Sequence, residues 1–237
     1  MVGRFPAVAL LAAALVVASA PPAAAAAIWD GDAAHGKGVF AHIGSECAAP
    51  GSVTAVDDPE HGAVWRYDKP AESRRCESRG IAIDGKEHDF ENGSTYYLGW
   101  RSKLSSTVDN NATFQWKSYG SHIQNYPVVL KVIDGKLSLL QRQPDETRII
   151  WEHPIAAGEW HSIVLGLHLS DETTGGWVEF WFNGEQQTFS DGSKRWACRT
   201  FDSENHPKWG VYGAEGDDVV NEIDALKVGT DYADVAP

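Results

Sequence analysis

The chain has 237 residues, 43% of them hydrophobic, with 20 Lys and Arg set against 33 Asp and Glu for a formal charge of −13. That acidic balance argues against nucleic acid as a partner and confines any anion site to a local basic patch. After the N-terminal segment no apolar run approaches the ~20 residues of a membrane helix, so no membrane partner is expected.

Arg4 followed by the apolar run Ala7 to Ala18 reads as the n- and h-regions of a secretory signal. Residues 1–27 are expected to be a signal peptide and alanine-rich leader, cut after Ala20 or within Ala23 to Ala27. Residues 28–237 then form one exported domain, read as a secreted monomer. In such a compartment Cys47, Cys76 and Cys198 allow one disulfide and one leftover thiol, with three pairings open.

Short alternating stretches follow. In "RRCESRG" the period of two puts Arg75, Glu77 and Arg79 on one face and Arg74, Cys76 and Ser78 on the other. In "TFQWKSY", Gln115, Lys117 and Tyr119 align while Phe114 and Trp116 point the opposite way, into a core. Asp134-Gly135 and Asn183-Gly184 each separate two apolar-rich runs and supply the positive φ angles of a tight hairpin. Between them Ile163, Leu165, Leu167 and Leu169 alternate with Val164, Gly166 and His168. In "PKWGVYG", Lys208, Gly210 and Tyr212 share a face, with Trp209 and Val211 behind. No amphipathic helix of useful length occurs. Many short strands separated by turn signals predict an all-β sandwich of jelly-roll type, two antiparallel sheets with a concave groove for a ligand. The ten tryptophans fill its core or line the groove; Trp100 and Trp196 fit either role.

A single strand with a polar face is ordinary in a half-solvated sheet. Three such strands enriched in Arg, Lys, Gln and Tyr, within an acidic chain, point to an anionic-ligand site.

The ordered set "RCESR", "QWK" and "KWGVY" resembles the three motifs of the jelly-roll polysaccharide lyases: an R-x-E-x-R strand, a Q-x-H strand and a K-x-G-x-Y strand. The stretch from "GEWHSIVLGLHLS" to "GWVEFWFNG" is similar to the glucuronan lyase and heparin lyase I branch. One departure stands out. Lys117 occupies the place of the motif's histidine, which the alginate and heparin relatives imply is a proton-abstracting base.

The resemblance implies a concanavalin A-like fold and β-elimination on a uronic-acid chain. In that reaction the C5 proton is removed, the O4 glycosidic oxygen leaves and a C4–C5 double bond remains. A proton beside a carboxylate is weakly acidic, so the site must quench that charge; Arg75, Arg79 and Gln115 are the candidates. Tyr212 is the candidate base and acid, with Lys208 and Lys117 as cations that favour its phenolate. In β-D-glucuronate or β-D-mannuronate the C5 hydrogen and O4 lie on the same side, so one tyrosine serves both steps. Glu77 is assigned to positioning an arginine, and Tyr119 to substrate contact. His42 and His122 border the groove or act as alternative bases; Asn125 is a loop residue or a carboxylate donor.

The expected activity is endo cleavage of a β-1,4-linked polyuronate, glucuronan first, with alginate or a heparin-type polymer as alternatives. No cofactor is required, and "EGDD" (Glu215 to Asp218) is the one candidate for a structural calcium ion. Two rivals stand beside this reading. A glycoside hydrolase would need paired carboxylates, and Glu222 and Asp224 lack the further Glu of a laminarinase-like motif, since Leu226 and Lys227 follow. A non-catalytic lectin would keep the fold without needing Lys208 and Tyr212 together.

Overall fold

The computed structural model describes residues 1, 3, 27–44, 46–121 and 123–237. Most of the expected leader and His122 therefore lie outside the described residues. Among the described residues eighteen strands run, in chain order, β1 Trp29–Asp30, β2 His42–Ile43, β3 Ser52–Asp58, β4 Gly62–Lys69, β5 Arg75–Arg79, β6 Ala82–Ile83, β7 Lys86–Glu87, β8 Thr95–Leu104 and β9 Asn111–Ser118. The second half continues with β10 Val128–Ile133, β11 Lys136–Arg142, β12 Thr147–Pro154, β13 Trp160–His168, β14 Gly176–Phe182, β15 Glu185–Gln186, β16 Trp196–Cys198, β17 Asn205–Gly213 and β18 Val219–Gly229. A single turn of helix, α1 (Tyr232–Val235), closes the chain. No helix among the described residues is long and apolar enough to cross a membrane.

Two antiparallel sheets form the jelly roll. One is ordered β15-β14-β13-β8-β18-β4-β3, with β1 and β16 added to β18 and β14; the other is ordered β12-β11-β10-β9-β17-β5-β2. Both expected hairpins are present, and each has positive φ at both turn residues: 50° and 71° at Asp134-Gly135, 51° and 81° at Asn183-Gly184. That geometry matches the twist of the strands it joins.

The inner faces meet as the alternation requires. Phe114, Trp116, Trp209 and Val211 from the seven-stranded sheet, and Ile163, Leu165, Leu167 and Leu169 from the other, are buried to within 1%. Trp209 stacks on Trp29 at 5.9 Å and meets Trp100 edge-on at 6.3 Å. Trp100 is therefore a core residue, and Trp196 is half-buried against the core. Rings of this size in offset and edge contact supply much of the burial that holds the layers together.

Cys47 and Cys76 form the disulfide, while Cys198 is buried and unpaired. Cys76 sits between Arg75 and Glu77, so the bridge staples the strand that carries the arginine face. Closing a loop across a sequence separation of 29 residues stabilises by roughly 3–4 kcal/mol on the chain-entropy account.

One irregularity shapes the outer face of the seven-stranded sheet. Pairing of β9 slips at Thr113 against both neighbours: Phe114 faces Trp209 and Leu130, but the next partners are Ala112 with Tyr212 and with Lys131. Ala112, with only a methyl group, thus stands in the row between Tyr212 and Lys131. A slip of this kind re-aims side chains locally.

Candidate active site

The seven-stranded sheet turns a row of polar side chains outward, and the structure divides them into three groups. The first surrounds Tyr212. Its half-buried ring lies 4.5 Å from the Arg75 guanidinium and 5.3 Å from that of Arg74. Its hydroxyl accepts a hydrogen bond of 2.8 Å from Arg74 Nη2. Arg74 is a correction to the strict alternation: β5 begins at Arg75, so Arg74 lies before the strand and wraps to the same side as Tyr212. The phenol is turned outward, onto a cleft of about 280 Å³ that Arg74, Gln115, Tyr126, Val129 and Lys131 also line.

The second group is a buried node. Glu77, 4% exposed, accepts 2.5 Å from Lys208 Nζ and 2.6 Å from Gln115 Nε2. Cross-strand register brings them together: Lys208 faces both Arg79 and Gln115, and Gly210 faces Glu77. A Cβ at Gly210 would lie 2.3 Å from the Cys76 carbonyl, and its φ is 138°, so only glycine admits this approach. Burial raises the Glu77 carboxyl above its usual range, and Lys208 and Gln115 pull it back. Lys208 therefore spends its charge on Glu77. It does not reach the phenol, about 13 Å farther along β17, so the expected Lys208 tuning of Tyr212 is replaced by Arg74 and Arg75. Glu77 likewise serves Lys208 and Gln115 more closely than Arg75, whose Nη1 is 3.9 Å away; Arg75 Nε pairs with Glu46 at 2.8 Å.

The third group stands at the opposite end. Lys117 is cross-strand from His206, six positions from Tyr212 and about 20 Å along the strand. It does not touch the phenol. Its ammonium donates to the Ser118 carbonyl at 2.8 Å and to Asn125 Oδ1 at 2.5 Å. Burial first, then Lys208 and Arg75, bring its pKa down to about 8. Asn125, in the left-handed region at φ 59°, is thus the anchor of Lys117. Tyr119 lies under the Arg79 guanidinium at 4.8 Å and the Lys117 ammonium at 5.1 Å, and burial raises its hydroxyl to about 12. His42 is exposed and faces Arg79, 3.5 Å from Glu87.

Three neighbours of the candidate site are not singled out by the sequence. Arg74 was assigned to the wrong face, and Lys131 lay inside a hairpin strand with an ordinary pattern. His206 is buried at 3% between Glu87 and Glu204; its place two residues before Lys208, on the same face, was the available signal. Glu222 and Asp224 lie on the other sheet and are ion-paired, with Lys103 at 2.7 Å and Arg101 at 2.8 Å. They flank no cleft with Tyr212, which removes the hydrolase pair. Among the described residues no group of three or more His, Cys, Asp or Glu side chains could hold a metal ion. In the Glu215–Asp218 loop, Asp218 instead caps the Ala71 N–H at 2.8 Å, and the Asp217 carbonyl accepts from Lys69.

A jelly roll with a cationic outer face and a phenol set in its cleft defines a carbohydrate-active β-sandwich. The similarities are of that class. The solved structures include alginate lyase AlgAT5 of polysaccharide lyase family 7, with a TM-score of 0.55 and 14% identity over 78% of this chain and 84% of that one. An alginate lyase from Corynebacterium sp. aligns at 0.55 and 15% identity over 76% and 81%; the cellulose induced protein Cip1 aligns at 0.57 and 10% over 81% and 91%. At such identities these likenesses establish the fold. A search of the curated proteins finds no match. The family model described as polysaccharide lyase matches residues 52–225, and the chain belongs to that family.

Proposed function

We propose that this polysaccharide lyase cuts a β-1,4-linked polyuronate, glucuronan in preference to alginate or a heparin-type chain, by β-elimination through Tyr212. The observation that carries the reading is the phenol itself, bonded to Arg74, flanked by Arg75 and set in the wall of a cleft. Tyr212 takes the C5 proton; the C5 electron pair forms the C4–C5 double bond as the C4–O4 bond breaks; the same oxygen returns the proton to O4. Arg74 is a donor only, and its hydrogen bond to the phenol oxygen strengthens while that oxygen is negative. Gln115, held at one amide hydrogen by Glu77, keeps its other N–H for the uronate carboxylate.

Among the described residues no histidine lines this cleft. With Tyr212 read as base and acid in turn, the elimination is syn, which supports glucuronate over iduronate or guluronate. The disulfide supports an exported, oxidised setting, consistent with the signal-like N-terminus, and endo action by a monomer completes the reading.

The test is a panel of glucuronan, alginate and heparin-type polymers, followed by the ultraviolet absorbance of the new double bond. Glucuronan is expected to give the fastest rise. Tyr212→Phe is expected to lower the rate about 10²- to 10⁴-fold with the melting temperature unchanged. Reducing ends without absorbance would mean hydrolysis, and a fully active phenylalanine variant would remove Tyr212 from the chemistry.

A further inference from the structure

We infer that Lys131 is a second uronate-binding position, which reads the carboxylate two sugar units from the one undergoing elimination. The inference deepens the polyuronate reading and rests on it. Lys131 is half-buried in β10 and lines the same cleft as Tyr212. Among the described residues it has neither a carboxylate partner nor a hydrogen bond. Its ammonium is open to the cleft and is balanced by no acid of the described residues, although the chain carries a charge of −13, so it is available to an anionic ligand.

The register supplies the spacing. Tyr212, Ala112 and Lys131 are consecutive partners across β17, β9 and β10. Strands lie 4.7–4.9 Å apart, so Tyr212 and Lys131 are about 9.5 Å from one another across the sheet, close to the length of two pyranose units. The small Ala112 between them leaves the floor low. A sugar chain lying across the strands thus passes Tyr212 and reaches Lys131 two units later. In a flat β-1,4 ribbon successive units are flipped, so every second carboxylate returns to the same side, and that carboxylate is the one assigned to Lys131. Exposed Glu215, also lining the cleft, opposes anions and gives a control of opposite sign.

Binding of β-1,4 oligoglucuronates of two to six units to Tyr212→Phe, by calorimetry, separates this position from the chemistry. Affinity is expected to rise stepwise once the oligomer spans both positions. Adding Lys131→Met is expected to remove that step, about tenfold or more for a lost charge-assisted bond, and to leave the shortest oligomers unaffected. Glu215→Gln is expected to tighten the long oligomers, and cello-oligosaccharides, which lack carboxylates, should be insensitive to Lys131. Equal weakening at every length, or none at any length, would overturn the inference while leaving the elimination reading intact. Tight binding with no double-bond absorbance from the unmutated protein would instead sink the elimination reading and leave Lys131 in place.

Discussion

The outer faces of the two sheets look alike as alternating polar strands, yet they differ in how much of their positive charge an internal acid neutralises. On the nine-stranded sheet the ions neutralise one another: Arg66 with Glu222 at 2.9 Å, Lys103 with Asp58 and Glu222, Arg101 with Asp224, Arg195 with Glu179. On the cleft side of the seven-stranded sheet Arg75 pairs with Glu46, but Arg74 meets a phenol, Lys117 meets carbonyl and amide oxygens, and Lys131 has no ion-pair or hydrogen-bond partner among the described residues. Among the described residues the deeply buried acid of that face, Glu77, is consumed by Lys208 and Gln115. Polar alternation alone does not mark a ligand face. Positive charge left without an internal acid does, because such charge is balanced only when an anion arrives.

The sharpest way to break this contrast is at the buried node. Glu77→Ala leaves Lys208 buried without a counter-ion and Gln115 without its acceptor, and is expected to cost about 3–5 kcal/mol in denaturant unfolding. Activity should be lost with it. Glu77→Gln should keep more of the fold than of the activity, since an amide can still bond but no longer balances the ammonium; equal losses would reduce Glu77 to scaffolding.

A smaller effect comes from pH. Lys117, with its pKa lowered to about 8, is charged below that pH and neutral above it. Polyuronate affinity is therefore expected to fall several-fold as pH rises through about 8. Lys117→Arg should carry the cation past that point and abolish the step. A step that persists in the arginine variant belongs to another group.

The smallest effect is predicted on the opposite sheet. Glu222→Gln removes an acid that has two cationic partners at a partly exposed site, and should change stability by about 1 kcal/mol or less. The rate on polyuronate should not change. A large loss of activity would mean that the nine-stranded face also takes part in binding, and the contrast between the faces would fail.

Much of the fold was legible in the residues. The Asp134-Gly135 and Asn183-Gly184 turns depend on local φ preference, and the burial of Phe114, Trp116, Trp209 and the Ile163–Leu169 alternation depends on a period of two; both are properties of short segments. The outward face of Tyr212 followed from the same period. What tertiary structure alone decided was which charge meets which partner. The side chain of Arg74 reaches Tyr212 because β5 starts one residue later than strict alternation assumes. Lys208 is taken by Glu77 because β5 and β17 pair in that register. The slip at Thr113 sets Ala112 between Tyr212 and Lys131, and Cys76 pairs with Cys47 because β5 carries it there. Alternation fixes the side of a sheet on which a residue falls, whereas electrostatic partnership depends on distances between strands far apart in the chain, and those exist only once the sheets have closed.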